Sequence, residues 1–235
     1  AVAIGVDRSG DVIVGGTTTT TSAIPSGGGS WQQDMPNISE IRNCAAFKLD
    51  GDTGKQLWSY QTAYQGDENF MSASSTSNTS VSSSSSSGYY TSTSAILSLS
   101  VDSAGNALFV GQTRGDSAVV LENGANHTHA INAINNTINS TIINNTIGKL
   151  DGTTGELLWS VQGGATGPLG MLSACETDSQ DNLVAAGVTE GGAAAPSAGG
   201  GDFFVVKLDG DGEEIWAWQD GTERDETLLA VAIDA

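Results

Sequence analysis

The strongest constraint on the fold is an internal repeat that ends each time in tryptophan. A Lys-Leu-Asp-Gly sequence, a short turn and a tryptophan occur three times in the 235-residue chain, and a glutamine stands three residues after each tryptophan. These residues are Trp58 with Gln61, Trp159 with Gln162, and Trp216 with Gln219. Self-similarity of this kind indicates one structural unit that the chain builds three times.

A second repeated pattern precedes the first: an aspartate and a turn of small polar residues, followed by an apolar run. Its copies cover 4–17, 99–113 and 175–189, and a fourth begins at Leu228 and reaches Ala235. In the least interrupted repeat, turn residues separate four apolar runs, at 169–177, 183–189, 203–208 and 214–219. Short runs divided by Asp, Ser, Gly and Asn predict antiparallel strands.

The spacing of the repeats predicts their architecture. Trp159 and Trp216 lie 57 residues apart, a length that suits one four-stranded β-propeller blade. We therefore predict an all-β protein of antiparallel blades, with three copies, the first strand of a fourth and long low-complexity insertions. The predicted segments are blade 1 at 1–62 with an insertion at 17–43, a Ser/Thr-rich linker at 63–94, blade 2 at 95–163 with an Asn-rich insertion at 115–146, blade 3 at 164–222, and a first strand or inter-subunit strand at 223–235.

These motifs resemble known repeats. The Phe-Val-x-Lys-Leu-Asp segment that leads to tryptophan, with the Val-Asp-x-x-Gly-Asn strand pair, resembles the bacterial and algal beta-propeller repeat of the SBBP type. The Leu-Asp-x-x-Thr-Gly-Lys-x-Leu-Trp portion is similar to the tryptophan-docking motif of quinoprotein-like propellers. The resemblance covers the recognisable strands and implies an architecture rather than an activity, because propellers carry many unrelated functions.

The recurring side chains are expected to hold the blades together. An indole is large and rigid and needs one partner for its N–H, so we predict that the tryptophans and the glutamines pack between adjacent blades; a ligand platform is the alternative. Lys48, Lys149 and Lys207 each stand two residues before an aspartate, on the same face of a strand. This placement predicts a repeated charge-paired position at the blade rim or between blades, or else a solvated pair worth little.

Composition excludes several classes of function. With 27 acidic and 8 basic residues, the net charge of −19 repels phosphate backbones, so we expect no nucleic-acid partner. No apolar stretch is long enough for a membrane span. The chain also lacks a Gly-x-Ser-x-Gly elbow, a P-loop and a Cys-x-x-Cys pair, and we therefore predict that it is not an enzyme.

Three weaker sites are open to two interpretations each. Asp209, Asp211 and Glu213 could supply oxygens to calcium, or they could simply form a hairpin turn. Cys44 and Cys175 could form a disulfide, or they could be two buried thiols. His127-Thr-His129 could place two imidazoles on one face of a strand, although no third metal ligand stands nearby. We expect no other cofactor.

The insertions carry the features of an extracellular surface. Six Asn-x-Ser/Thr sequons occur in them, at Asn37, Asn78, Asn126, Asn135, Asn139 and Asn144. Such sequons accept N-linked glycans on surface loops of secreted proteins, and Ser/Thr-rich tracts are common sites of O-linked sugar. We therefore predict a secreted or cell-surface glycoprotein.

These observations favour a non-enzymatic structural or adhesive module, such as the repeating subunit of an extracellular filament or coat. We expect self-association or contact with neighbouring blades through the 228–235 segment, because an unpaired strand edge recruits another strand. A carbohydrate- or protein-binding propeller is the first alternative. A fragment of a quinoprotein-like redox enzyme is the second, and it would need a full ring of blades around a cofactor with a calcium-bound carboxylate.

Overall fold

The computed structural model describes residues 3–24, 37–61, 92–115, 142–164 and 170–234. Within these ranges the chain forms twelve β-strands and no helix. The strands form three successive units of four, which we call units 1, 2 and 3. Unit 1 comprises β1 (Ala3–Val6), β2 (Val12–Ile24), β3 (Asn37–Leu49) and β4 (Gln56–Gln61); unit 2 comprises β5 (Ser92–Val101), β6 (Ala107–Gly115), β7 (Ile142–Leu150) and β8 (Leu157–Gly164); unit 3 comprises β9 (Met171–Thr177), β10 (Leu183–Thr189), β11 (Asp202–Leu208) and β12 (Glu214–Asp220).

Each unit is an antiparallel sheet in which every strand pairs with the next one along the chain. This arrangement confirms the predicted all-β fold of three four-stranded antiparallel units. A short parallel pairing, of Ile41 with Ser92 and of Arg42 with Thr93, joins units 1 and 2 into one eight-stranded sheet. In the described part of the chain the sheets do not close into a ring.

Part of the predicted first insertion is regular structure. Strand β2 continues to Ile24 and pairs with β3 from Asn37 onward, so both ends of the 17–43 segment form a long two-stranded arm. The run of threonines that begins at Thr17 favours this outcome, because β-branched side chains suit an extended backbone. Most of the 63–94 linker and of the Asn-rich 115–146 insertion, with His127 and His129, lies outside the described residues.

The segment predicted to be the first strand of a fourth unit or an inter-subunit strand forms no strand within the described chain, and its pairing with another chain stays a prediction. Residues 228–234 form no strand, and no strand of the described chain pairs with them. Leu229 is 91% exposed. The first strand of each complete unit is held by hydrogen bonds to the second strand of that unit, whereas the described residues after Asp220 form no strand. A strand without such a partner has no ladder to stabilise it.

The turn between the first two strands has the same geometry in all three units. Its aspartate accepts backbone hydrogen bonds through Oδ1 from the residues two and four positions later, at 2.8–3.0 Å. The residue three positions later has a positive φ, between 63° and 88°. The aspartates are Asp7, Asp102 and Asp178, and the positive-φ residues are Gly10, Gly105 and Asp181. This Asx-turn fixes the carboxylate at the end of the sheet.

The hydrophobic core lies between units rather than inside one of them. One cluster combines Ile13 and Trp58 of unit 1 with Leu99 and Phe109 of unit 2. The other combines residues of unit 2 with residues of unit 3, including the fully buried Phe204. Burying a side chain of this size contributes about 1.5 to 3 kcal/mol. The packing of neighbouring units against each other is therefore the main apolar contact of the fold.

Candidate functional site

The tryptophans of the first two units are fixed by the main chain of the following unit. Trp58 Nε1 donates to the carbonyl oxygen of Gly152 at 3.0 Å, and Trp159 Nε1 donates to that of Gly210 at 3.0 Å. Both indoles are buried, with 7% and 8% of their surface exposed. The predicted packing between units is present at these two positions, and it includes a specific acceptor.

The repeated lysines donate to the same two carbonyl oxygens. Lys48 Nζ lies 2.9 Å from the oxygen of Gly152, and Lys149 Nζ lies 3.2 Å from the oxygen of Gly210. One main-chain carbonyl thus accepts hydrogen bonds from a lysine and a tryptophan of the preceding unit. We call this arrangement the inter-unit joint, which comprises Lys48, Trp58 and Gly152 between units 1 and 2, and Lys149, Trp159 and Gly210 between units 2 and 3.

Each lysine is paired with the aspartate of the Asx-turn in its own unit. The Nζ–Oδ2 distances are 2.7 Å for Lys48 with Asp7, 3.1 Å for Lys149 with Asp102 and 2.6 Å for Lys207 with Asp178. In unit 1, Asp11 adds a second carboxylate, 3.4 Å from Lys48. The repeated charge pair is therefore real, but its carboxylate is not the aspartate two residues after the lysine.

Those nearer aspartates stabilise their own hairpin turns. Asp50 Oδ1 accepts from the backbone N–H of Thr53 at 2.8 Å, and Asp151 Oδ1 accepts from those of Thr153 and Thr154 at 2.8 and 2.7 Å. Hydrogen bonds to an ionised carboxylate favour the charged form. Accordingly, the side-chain and backbone donors of Thr53 lower the pKa of Asp50, and the backbone donors of Thr154 and Thr153 lower that of Asp151.

Two of the carboxylates that pair with the repeated lysines, Asp7 and Asp178, are also stabilised in their charged form. Burial by itself raises the pKa of Asp178, but the hydrogen bonds from Lys207 and from Asn182 outweigh it and hold the pKa well below its usual value. The same balance, with Lys48 as the main donor, lowers the pKa of Asp7. The ion pairs of Lys48 with Asp7 and of Lys207 with Asp178 therefore persist at neutral pH, and they fix the direction in which these two ammonium groups point.

A glycine of each receiving turn lies against the indole. Gly155 has a φ of 76°, and a Cβ at this position would lie 2.7 Å from the ring of Trp58. Gly212 has a φ of 87°, and its Cβ would lie 2.9 Å from the ring of Trp159. A side chain is excluded here both by the left-handed backbone and by the close approach of the ring.

The third copy of the motif ends in an exposed face. Trp216 is 43% exposed, and no described residue accepts a hydrogen bond from its Nε1. At the other end of the chain, Gly54 has a φ of 68°, and a Cβ built on it would meet nothing within 4 Å. Gly54 corresponds to Gly155 and Gly212 in the repeat. The described chain thus has one donor half and one acceptor half of the joint without their counterparts.

Of the three repeated glutamines, Gln219 does not act as predicted. Gln61 is exposed and Gln162 is half-buried, whereas Gln219 is buried and binds a loop of its own unit. Gln219 Oε1 accepts from the backbone N–H of Ala193 and of the next two residues at 2.9–3.3 Å. Its Nε2 donates to the carboxylate of Asp202 at 2.8 Å. Gln219 therefore holds the connection between β10 and β11 instead of packing between units.

The proposed calcium ligands form a turn. Asp209 Oδ1 accepts from the backbone N–H of Asp211 at 3.0 Å and from that of Glu213 at 2.9 Å. Among the described residues, no group of three or more His, Cys, Asp or Glu side chains is placed to hold a metal ion. Hairpin chemistry therefore accounts for the Asp-Gly-Asp sequence.

The two cysteines are buried thiols. Cys44 and Cys175 are each 5% exposed, no disulfide joins them, and they belong to different hydrophobic clusters. Burial raises the pKa of the Cys44 thiol to about 12 and that of the Cys175 thiol to about 11. Such thiols are unreactive in the folded protein.

Two of the six sequons lie on described backbone. Asn37 is the first residue of β3, and Asn144 pairs with Thr113 and Gly164 within the sheet of unit 2. The other four, Asn78, Asn126, Asn135 and Asn139, lie outside the described residues. Glycosylation stays a prediction.

No protein-family model matches this chain, and no curated protein matches its sequence. The resemblance to propeller repeats accordingly stays a prediction. The described residues contain no helix that is long and apolar enough to cross a membrane.

Proposed function

We propose that this protein is a non-enzymatic structural module, a repeating subunit of an extracellular filament or coat. The observation that carries the proposal is the inter-unit joint, which occurs twice with the same donors and the same acceptor. The recurring lysine and tryptophan attach unit 1 to unit 2 and unit 2 to unit 3. This is the arrangement expected of a protein whose task is to extend a stack of sheets.

The surface composition supports an extracellular location. The net charge of −19 favours solubility at high concentration, and the six sequons offer attachment points for glycans. Such sugars would cover the insertions and leave the joint faces, which contain no sequon, available for contact.

Two measurements on the secreted 235-residue chain test this proposal. Sedimentation velocity over a hundredfold concentration range should reveal species larger than one chain, and mass spectrometry of glycopeptides should find sugar on at least two sequons. A protein that stays monomeric at every concentration contradicts the structural role. A mass equal to that of the bare polypeptide contradicts the glycoprotein assignment.

A further inference from the structure

We propose that unit 3 of one chain binds unit 1 of a second copy through a third inter-unit joint, in which Lys207 and Trp216 donate to the carbonyl oxygen of Gly51. This inference rests on the proposed structural function and identifies the surface that it uses. The occupant is a second copy because the same chain presents both missing halves.

The donor half is already formed. Lys207 Nζ is held 2.6 Å from Asp178, as Lys48 is held by Asp7 and Lys149 by Asp102. The Lys207 side chain is 20% exposed, compared with 10% and 11% for its two counterparts. Trp216 is 43% exposed, whereas the tryptophans of the two completed joints are 7% and 8% exposed. The extra exposed surface of Lys207 and Trp216 is the surface that a following unit covers at the two completed joints.

The acceptor half is formed as well. The backbone N–H of Gly51 donates to Asp11 Oδ1 at 3.1 Å, just as that of Gly152 donates to Asn106 Oδ1 at 3.0 Å. The Gly51 turn is therefore held against the first turn of its unit in the same way as the Gly152 turn. Gly54 retains the positive φ of the glycines that lie against Trp58 and Trp159, and the space beside it is empty.

The apolar residues around the acceptor half are also uncovered. The first strands of units 2 and 3 bury Leu99 and Cys175, which are 7% and 5% exposed, against the preceding unit. The corresponding residue of unit 1, Ile4, is 65% exposed. Val14 and Leu49, whose counterparts in unit 2 are the buried Phe109 and Leu150, are only half-buried. We call Ile4, Val14, Leu49, Gly51 and Gly54 the acceptor face.

The donor half is surrounded by a matching apolar area. Trp218 is 49% exposed, whereas its counterparts Tyr60 and Val161 pack against the clusters between units. We call Lys207, Trp216 and Trp218 the donor face. Large aromatic side chains exposed together mark contact sites, because their burial supplies much of the binding free energy.

The neighbouring position in the repeat provides an internal control. Leu57 and Leu158 are 48% and 41% exposed although the joint beside each of them is complete. Ile215 occupies the same position in unit 3 and is 50% exposed. Exposure of Ile215 is therefore a property of the unit itself and does not belong to the donor face.

The two faces differ from each other, so the contact is heterologous and can be repeated from chain to chain. Since every copy carries a charge of −19, like-charge repulsion opposes association. Salt screens this repulsion. We therefore expect association to strengthen as ionic strength rises.

Three single variants of the full chain test the joint. Trp216→Ala removes the central indole of the donor face, Ile4→Asp places a charge on the acceptor face, and Ile215→Ala is the matched control. Circular dichroism and thermal unfolding establish whether each variant is folded. If Trp216→Ala does not fold, Trp218→Ser replaces it as the donor-face variant. Sedimentation velocity then measures the assembly of each protein alone and of the first two mixed in equal amounts.

We expect at least a tenfold loss of association for Trp216→Ala and for Ile4→Asp, and none for Ile215→Ala. The equal mixture should form dimers and nothing larger, because Trp216→Ala retains an acceptor face and Ile4→Asp retains a donor face. If the wild type assembles and Trp216→Ala and Ile4→Asp assemble equally well, the proposed joint is wrong, whereas the proposed structural function is not contradicted. A monomeric wild type overturns both proposals, and a mixture without dimers overturns the head-to-tail arrangement.

Discussion

Trp58 of unit 1 donates a hydrogen bond of 3.0 Å from its indole nitrogen to the carbonyl oxygen of Gly152 in unit 2, 94 residues later in the chain. The same carbonyl accepts from Lys48 at 2.9 Å. Because the acceptor is a main-chain atom in a glycine turn, the contact can recur wherever the turn recurs. It does so once more, at Gly210.

The buried and exposed tryptophans should differ in their contribution to stability. Trp159→Ala removes a buried side chain and its hydrogen bond, and we expect a loss of about 3 to 5 kcal/mol in the free energy of unfolding. Trp216→Ala alters a half-exposed side chain, and the loss in dilute protein should be under about 1.5 kcal/mol. Urea denaturation of both variants measures the difference. Trp159 lies in a completed joint within the chain and Trp216 does not, so equal losses for the two variants would contradict this difference.

The two turn glycines provide a second matched comparison. Gly155→Ala and Gly54→Ala both force alanine into a positive φ, which costs about 1 kcal/mol. Only at Gly155 does the new Cβ approach an indole ring. Gly155→Ala should therefore lower the melting temperature several degrees more than Gly54→Ala does. Calorimetry of the monomer decides, and a larger effect at Gly54 would show that the ring contact is unimportant.

The ion pair of Lys207 and Asp178 should make stability depend on acidity. The folded pKa of Asp178 lies below its ordinary value of 3.8, so the charged form stabilises the fold above that pH, and the stabilisation is lost as the pH falls toward the folded pKa. Asp178→Asn should cost about 1 to 3 kcal/mol at pH 7, and the cost should shrink below pH 3.8. Denaturation at several pH values measures this trend. Asp52→Asn, at an exposed turn, is the control, and a pH-independent cost for Asp178→Asn would contradict the pairing.

The two cysteines should be inaccessible in the folded protein. Since both thiols are buried and their pKa values are raised to about 12 and about 11, a disulfide-exchange reagent at pH 8 should label neither one before unfolding. In denaturant it should label two thiols per chain. Rapid labelling without denaturant, or an intact mass that corresponds to a disulfide, would show that the cysteines are not buried thiols.

Much of the fold could be predicted because local patterns determine it. The apolar runs at 183–189 and 203–208 correspond to β10 and, within one residue, to β11. The partners of the recurring side chains could not be predicted in the same way. Lys48 pairs with Asp7 across two strands, and Trp58 binds a main-chain oxygen that no sequence pattern marks as an acceptor. The aspartate of the first turn recurs as regularly as the lysine, and this shared recurrence could have indicated the ion pair between them.

The role of Gln219 and the absence of a strand at 228–234 within the described chain were missed for a related reason. Gln219 follows the repeated tryptophan motif, but its hydrogen bonds go to the connection between β10 and β11 and to Asp202 at the start of β11. The 228–234 segment has the composition of a first strand, yet strand formation depends on a partner as well as on composition. In both cases tertiary context, which differs between copies, outweighs the repeated sequence.

The most direct test of the account is a side-chain-resolution electron cryomicroscopy map of the wild-type assembly. We predict that Trp216 Nε1 lies about 3.0 Å from the Gly51 carbonyl oxygen of the neighbouring copy, the distance seen in both joints within the chain. Lys207 should approach the same oxygen, and Gly54 should lie against the indole. Copies joined through any other surface, with Trp216 still exposed to solvent, would contradict the account.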